Sequence, residues 1–110
     1  MTWRRQSLDS LQARKAYLKG VQLSGAKLVN ANLQDANLFA ANLQKSRLSR
    51  ANLQEAILDE ANLEQAYLIN AKLQGASLSE AKLKKANLRN AQLQKANLRN
   101  AQLQQATLNI

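Results

Sequence analysis

Residues 31–40 have the sequence Ala-Asn-Leu-Gln-Asp-Ala-Asn-Leu-Phe-Ala, in which a leucine recurs after five positions and an alanine stands two places before each leucine. The same spacing extends in both directions, since leucine occupies every fifth position from Leu18 to Leu108, 19 times in succession. The residue two places before each leucine is alanine, except at Val21 and Ser46. Two apolar columns with a strict period of five therefore run through residues 16–110.

A period of five fits neither a regular helix nor a flat strand. In an α-helix, successive leucines would lie about 140° apart around the axis, so no apolar face would form. In a flat strand, residues five apart point to opposite sides. The chain must therefore bend once per repeat, so that the alanine and leucine of each pentad share one side of a short extended segment. We expect an all-β coil lined by leucine and alanine.

These pentads resemble the pentapeptide-repeat family, whose loose consensus is Ala-(Asp/Asn)-Leu-x-x. Good examples are Ala31-Asn32-Leu33-Gln34-Asp35 and Ala51-Asn52-Leu53-Gln54-Glu55, and the match spans residues 16–110. The resemblance implies a right-handed, quadrilateral β-helix (solenoid) with four pentads per coil, or about 4.75 coils for these residues. Residues 20 apart should then stack, and glutamine does recur at that interval, at Gln34, Gln54, Gln74 and Gln94.

The two ends of the repeat differ. Residues 1–15 fall outside the leucine register, and their Trp3, Leu8 and Leu11 are compatible with a short amphipathic helix, which predicts an N-terminal cap with a loose tail as the alternative. The β-helix is assigned to residues 16–110. Because no cap follows the last pentad, we expect either a longer parent chain or tail-to-tail self-association, as in some members of the family, through Thr107, Leu108 and Ile110.

Composition argues against an enzyme. The sequence contains no cysteine and no histidine, which removes disulfides, thiolate chemistry and the usual proton shuttle. Four acids fall within one predicted coil, but a convex rod offers no cleft that would desolvate them, so neither catalysis, a metal site nor a cofactor is expected; they are Glu55, Asp59, Glu60 and Glu64. No signal peptide or membrane-spanning stretch is recognisable, which predicts a cytoplasmic location.

The charge balance supplies candidate surfaces. Sixteen basic and seven acidic residues give a net charge of +9. One predicted face carries cations together with an aromatic residue, at Lys27, Arg47, Arg50, Tyr67 and Arg89, and an adjacent face adds Lys82, Lys84 and Lys85. Phe39 and Ile57 form a small outward apolar patch on a further face. For the basic faces we prefer the plainer interpretation, that solvated cations only discourage edge pairing and aggregation, and a patch for nucleic acid or an acidic partner is the alternative.

We therefore predict a non-enzymatic structural or protein-interaction module that presents a rigid basic rod to an unknown protein partner or to itself. The alternative is salt-dependent binding to nucleic acid or to an anionic membrane surface. Some relatives act on type II topoisomerases as acidic mimics of DNA, and the net positive charge disfavours that activity here. A third interpretation, a designed or fragmentary solenoid without a ligand, fits the regularity equally well. No small-molecule substrate is expected.

Overall fold

The computed structural model describes residues 1–109, and these wind into a four-sided coil. Parallel β-bridges connect successive coils. Each joins the residue between the two apolar columns to the residue 20 places further along the chain, from Thr2–Gln22 to Lys82–Gln102. Four pentads therefore make one coil, as predicted, and residues 1–109 make nearly five and a half coils. The Cα atoms extend over 30 × 22 × 21 Å, a short rod.

The bend in each pentad is a tight turn with one left-handed residue. The backbone N–H of Ala36 donates to the carbonyl of Leu33 at 3.0 Å, and Asp35, between them, has a φ of +61°. Every fifth residue from Arg5 to Gln105 has a φ between +57° and +71°. This arrangement is that of a type II turn, which needs a positive φ at its third position. Polar residues fill most of these positions.

Backbone hydrogen bonds hold the coils together. Leu33 donates to the carbonyl of Asn52 at 2.7 Å, Asp35 donates to Gln54 at 2.9 Å, and Asn52 donates back to Ala31 at 2.9 Å. The same three bonds recur from pentad to pentad up the rod. At one contact between coils the pairing is long enough to form two short strands. They are β1 (Asn87–Leu88) and β2 (Thr107–Leu108), which pair in parallel, Asn87 with Thr107 and Leu88 with Leu108.

One N–H per pentad, that of the residue after leucine, takes no part in this ladder, and the consensus asparagine supplies its acceptor. The side-chain oxygen of Asn52 accepts the N–H of Gln54 at 3.0 Å, and Asn62 accepts that of Glu64 at 3.0 Å. Such short loops from a side chain to a backbone N–H two residues on are what asparagine and aspartate do best. Asparagine before the leucine is therefore a structural choice.

The core consists of the two apolar columns. Every leucine from Leu23 to Leu78 is less than 2% exposed, and the alanines beside them are equally buried. Ser46 is the one buried polar residue within residues 1–109. In the last coil the alanines and most leucines are only partly buried and Leu108 is exposed, because no further coil of the described residues covers them.

The structure corrects the prediction for residues 1–15, which form no helix. They are most of the first coil, joined to the second at Thr2–Gln22, Ser7–Lys27 and Gln12–Asn32. The register was hidden because Trp3 occupies a leucine position and because Leu11 and Ala13 exchange sizes between the two columns. A large and a small side chain still fill the layer, so packing tolerates the exchange. That these residues also cap the rod stays a prediction.

Candidate interaction surface

The four sides of the rod are named here in chain order. Side 1 consists of residues 1–5 and of the pentads that follow them at intervals of 20 residues (21–25, 41–45 and so on). Sides 2, 3 and 4 are built in the same way from residues 6–10, 11–15 and 16–20. Side 2 departs most from the structural pattern. In three successive coils it replaces the asparagine before the leucine with Lys27, Arg47 and Tyr67, which stack directly through parallel bridges. Arginine and lysine have no acceptor atom, so these residues cannot perform the asparagine's local role. Departures from a local rule concentrate at functional sites.

Side 2 also contains an acid that the sequence-based description of this face missed, Asp9 in the first coil. Its Oδ1 accepts the N–H of Val29 at 2.9 Å. Val29 follows Leu28, so Asp9 supplies the acceptor that Lys27 does not. The acid therefore has a structural role, and it lies at the N-terminal end of the side.

A groove lies at the corner between sides 1 and 2. Its volume is about 600 Å³. Five cations line it without any acid, and Gly25, Gln65, Ala66, Tyr67 and Asn87 complete the lining. The cations come from coils 1, 2, 3 and 5 and are Arg5, Lys27, Lys45, Arg47 and Lys85. Such a one-sign groove focuses the field and attracts anionic groups.

A second hollow adjoins this groove on side 2. It is lined by Val29, Arg47, Ser49, Arg50 and Tyr67 and measures about 440 Å³. Arg47 and Tyr67 belong to both hollows, and Tyr67 is 46% exposed. Arg50 is held in place by its Nε, which donates to Asn30 Oδ1 at 3.1 Å. The surface thus offers a basic groove beside a partly apolar shelf.

Glycine opens the groove at Gly25. The fifth residues of the side 1 pentads form a column at this corner that continues through Arg5, Gly25 and Lys45. The N–H of Arg5 donates to the carbonyl of Ser24 at 3.0 Å, and the N–H of Gly25 donates to that of Gln44 at 2.8 Å. A Cβ at Gly25 would lie 3.2 Å from Arg5 Cγ, so the stem of Arg5 leans over the space that a side chain would fill. The φ of +69° is common to this turn position and is tolerated by polar residues elsewhere. The missing side chain therefore matters for the gap that it leaves.

The structure brings four of the predicted surface residues together in the basic groove, namely Lys27, Arg47, Tyr67 and Lys85, and adds Arg50 on the adjoining shelf. Arg89 lies on side 2, and Lys82 and Lys84 lie on side 1, outside the groove. Sequence reasoning missed Arg5, Gly25 and Lys45. The 20-residue spacing could have found them. Residues 5, 25, 45, 65 and 85 are 20 apart, so they stack in one column, and each is the last residue of a side 1 pentad, next to side 2.

The remaining predicted residues lie elsewhere. Phe39 and Ile57 are on side 4, away from the groove. Phe39 is half-buried and has the ammonium of Lys19 5.4 Å from its ring centroid, whereas Ile57 is 40% exposed. At the C-terminal end Thr107 and Leu108 are exposed, and Ile110 lies outside the described residues. Self-association there stays a prediction.

The acids do not form a reactive cluster. Asp59 Oδ1 accepts the N–H of Ser79 at 3.1 Å and also the hydroxyl of Ser77, which repeats the role of Asp9 on another side. Over the described part of the chain, no group of acids, histidines or cysteines has the geometry to hold a metal ion. Nor do residues 1–109 contain a helix of the length and apolar character that crossing a bilayer requires.

A family model described as pentapeptide repeats matches the chain in eight copies, over residues 16–54, 46–84 and 72–109. The chain belongs to the pentapeptide-repeat family. The predicted family is thereby confirmed. No curated protein matches the sequence.

Solved structures of pentapeptide-repeat proteins share the fold. One from the cyanobacterium Cyanothece 51142 (Rfr23) has a TM-score of 0.85 and 26% identity, covering 98% of this chain and 91% of that chain. One from the Arabidopsis thaliana thylakoid lumen has a TM-score of 0.83 and 28% identity, covering 86% and 66%. One from Nostoc Pcc 7120 has a TM-score of 0.67 and 41% identity, covering 68% and 62%. The likeness to these right-handed β-helical proteins confirms the predicted handedness.

Proposed function

We propose that this pentapeptide-repeat chain is a non-enzymatic binding module that holds an acidic protein partner against the basic groove between sides 1 and 2. The observation that supports this most directly is the convergence of five cations on one groove without an acid. A rigid β-helix keeps the backbones of these residues in fixed positions, so little backbone ordering is needed when a partner binds.

The distribution of asparagine supports the same surface. Lys27, Arg47 and Tyr67 stand where asparagine would complete the turn, and they do so in consecutive coils of one side. If their only role were solubility, cations at positions without a structural role, such as those of the turn tips, would serve equally well.

Charge also bears on the alternatives. A rod of net charge +9 would be repelled from a groove that binds DNA, which disfavours a gyrase-type mimic of nucleic acid. Direct binding to nucleic acid is the second candidate, because Tyr67 lies between the basic groove and the shelf and offers a ring for stacking. A cytoplasmic location stays a prediction.

Two charge-matched triple variants test the proposal. Lys27→Gln, Lys45→Gln and Arg47→Gln remove cations from the groove, whereas Lys72→Gln, Lys95→Gln and Arg99→Gln remove the same number from sides 3 and 4. Each variant is immobilised and used to capture partners from a nuclease-treated lysate of the source organism. We expect the groove variant to lose a saturable protein partner that the control variant retains. Equal loss in both variants would reduce the interaction to net charge, and retention by both would exclude the groove.

A further inference from the structure

The gap at Gly25 is the most specific feature of the basic groove. Around this glycine stand Arg5 in the coil below, Lys27 two residues further along, and Lys45 and Arg47 in the coil above. Adjacent coils are about 4.8 Å apart, so all four residues have backbones close to one small opening. Above this level the two columns continue with Gln65 and Tyr67, and the next cation of the groove is Lys85. Four of the five cations that line the groove thus come from three successive coils around Gly25.

An equivalent gap elsewhere on the rod shows what such an opening can hold. Gly75 occupies the same turn position at the corner between sides 3 and 4, and the carboxylate of Glu55 lies where a Cβ of residue 75 would be. A glycine gap in this fold therefore has room for an oxyanion. At Gly25 the side chain from the coil below is Arg5, whose Cγ borders the gap at 3.2 Å from the position of a Cβ. No carboxylate of the described residues lies within 4 Å of that position, so an oxyanion there would have to come from a ligand.

We propose that the Gly25 gap binds the phosphoryl group of a phosphorylated protein segment, an assignment that rests on the proposed protein-binding function. A phosphorylated serine or threonine carries about −1.5 to −2 charge and three acceptor oxygens, which suits four convergent cations better than a single carboxylate does. The shelf adjoins the basic groove through Arg47 and Tyr67, and its Val29 and Tyr67 would receive an apolar side chain that flanks the phosphorylated residue. A nucleic acid, with one charge per nucleotide along its length, would be better matched by an unbroken row of cations.

Nuclear magnetic resonance titration tests the assignment, because the three glycines of the chain are separate reporters. The amide signals of Gly20, Gly25 and Gly75 are followed while a blocked Leu-phosphoserine-Leu tripeptide is added. The same tripeptide with serine, the same with glutamate, and a thymidylate trinucleotide are titrated in parallel. We expect the phosphopeptide to shift Gly25 and leave Gly20 and Gly75 unchanged. It should bind at least tenfold more tightly than the glutamate peptide, and the serine peptide should not bind.

A pair of glycine variants provides the control. Gly25→Asn fills the gap. Its Cβ would lie 3.2 Å from Arg5 Cγ, a contact that a small shift of the flexible Arg5 side chain relieves. Asparagine already occupies this turn position with positive φ at Asn30 and Asn70, so the fold should be kept. Gly20→Asn makes the same change at a site where a Cβ would meet nothing within 4 Å. We expect Gly25→Asn to weaken phosphopeptide binding at least tenfold and Gly20→Asn to leave it unchanged.

Several outcomes would overturn the assignment. Equal affinity for the phosphoserine and glutamate peptides would make the gap a general anion site, and binding unaffected by Gly25→Asn would place the ligand elsewhere. Tighter, Gly25-dependent binding of the thymidylate would assign the groove to nucleic acid. If the phosphopeptide fails while the groove triple variant still loses its protein partner, only the phosphoryl assignment falls. If that triple variant retains its partner, the proposed function falls as well.

Discussion

The carboxylate of Asp59 accepts the backbone N–H of Ser79, 20 residues further along the chain, at 3.1 Å. Asn52 satisfies the corresponding N–H of Gln54 from within its own pentad, also through a side-chain oxygen, at 3.0 Å. In the pentad of Ser79 the asparagine position is occupied by Ser77. The acid Asp59 in the coil below therefore supplies the acceptor for the N–H of Ser79. The rod therefore has two ways to satisfy the same backbone group, one within a pentad and one between coils.

Replacing Asp59 tests the inter-coil arrangement. Asp59→Ala leaves the N–H of Ser79 and the hydroxyl of Ser77 without this acceptor, and we expect a loss of about 1–3 kcal/mol in the free energy of unfolding. The measurement is urea denaturation followed by circular dichroism. Glu60→Ala, at the neighbouring exposed position, is the control and should stay within about 0.5 kcal/mol of the wild type. Equal effects of the two substitutions would show that the hydrogen bonds to Asp59 do not contribute to the free energy of unfolding.

Replacing Arg47 on side 2 with the consensus asparagine should make the protein more stable. In Arg47→Asn the new side chain can accept the N–H of Ser49, and we expect a gain of about 0.5–1.5 kcal/mol in the free energy of unfolding together with weaker partner binding. Lys27→Asn is the matched control, because Asp9 already accepts the N–H of Val29 at 2.9 Å, so this change should leave stability nearly constant. Denaturation midpoints of the two variants compare them directly. A destabilised Arg47→Asn variant would mean that Arg47 is a structural residue.

Ser46 places a polar side chain in the apolar core. It is fully buried in the alanine column, and its hydroxyl has no hydrogen-bond partner among the described residues. An unsatisfied buried hydroxyl costs roughly 1–3 kcal/mol. We expect Ser46→Ala to raise the free energy of unfolding by about 1 kcal/mol, and the reverse change one coil higher, Ala66→Ser, to lower it by a similar amount. No gain in Ser46→Ala would indicate that the hydroxyl finds a partner in solution.

The sequence predicted the coil almost completely, because a five-residue period and a 20-residue stack are visible in one dimension. It failed at residues 1–15, where Leu11 and Ala13 exchange sizes, since packing depends on the volume of a layer and not on which column supplies it. It also missed two of the five cations that line the groove. Arg5 and Lys45 end pentads of side 1, and grouping residues by side separated them from Lys27 and Arg47 across the corner. The roles of Asp9 and Asp59 depend on the coil above each of them.

Photo-crosslinking from two exposed tyrosines tests the central claim, that the surface around the basic groove is where a partner binds. Tyr67 lines the groove and is 46% exposed, whereas Tyr17 lies on side 4 and is 70% exposed. Each is replaced in turn with p-benzoylphenylalanine, and the crosslinked protein is quantified after irradiation in lysate, with unlabelled wild-type protein as competitor. We predict a competable crosslink from position 67 that is lost in the Arg47→Asn background, and none from position 17. A stronger crosslink from position 17, or one from position 67 that persists in Arg47→Asn, would contradict the claim.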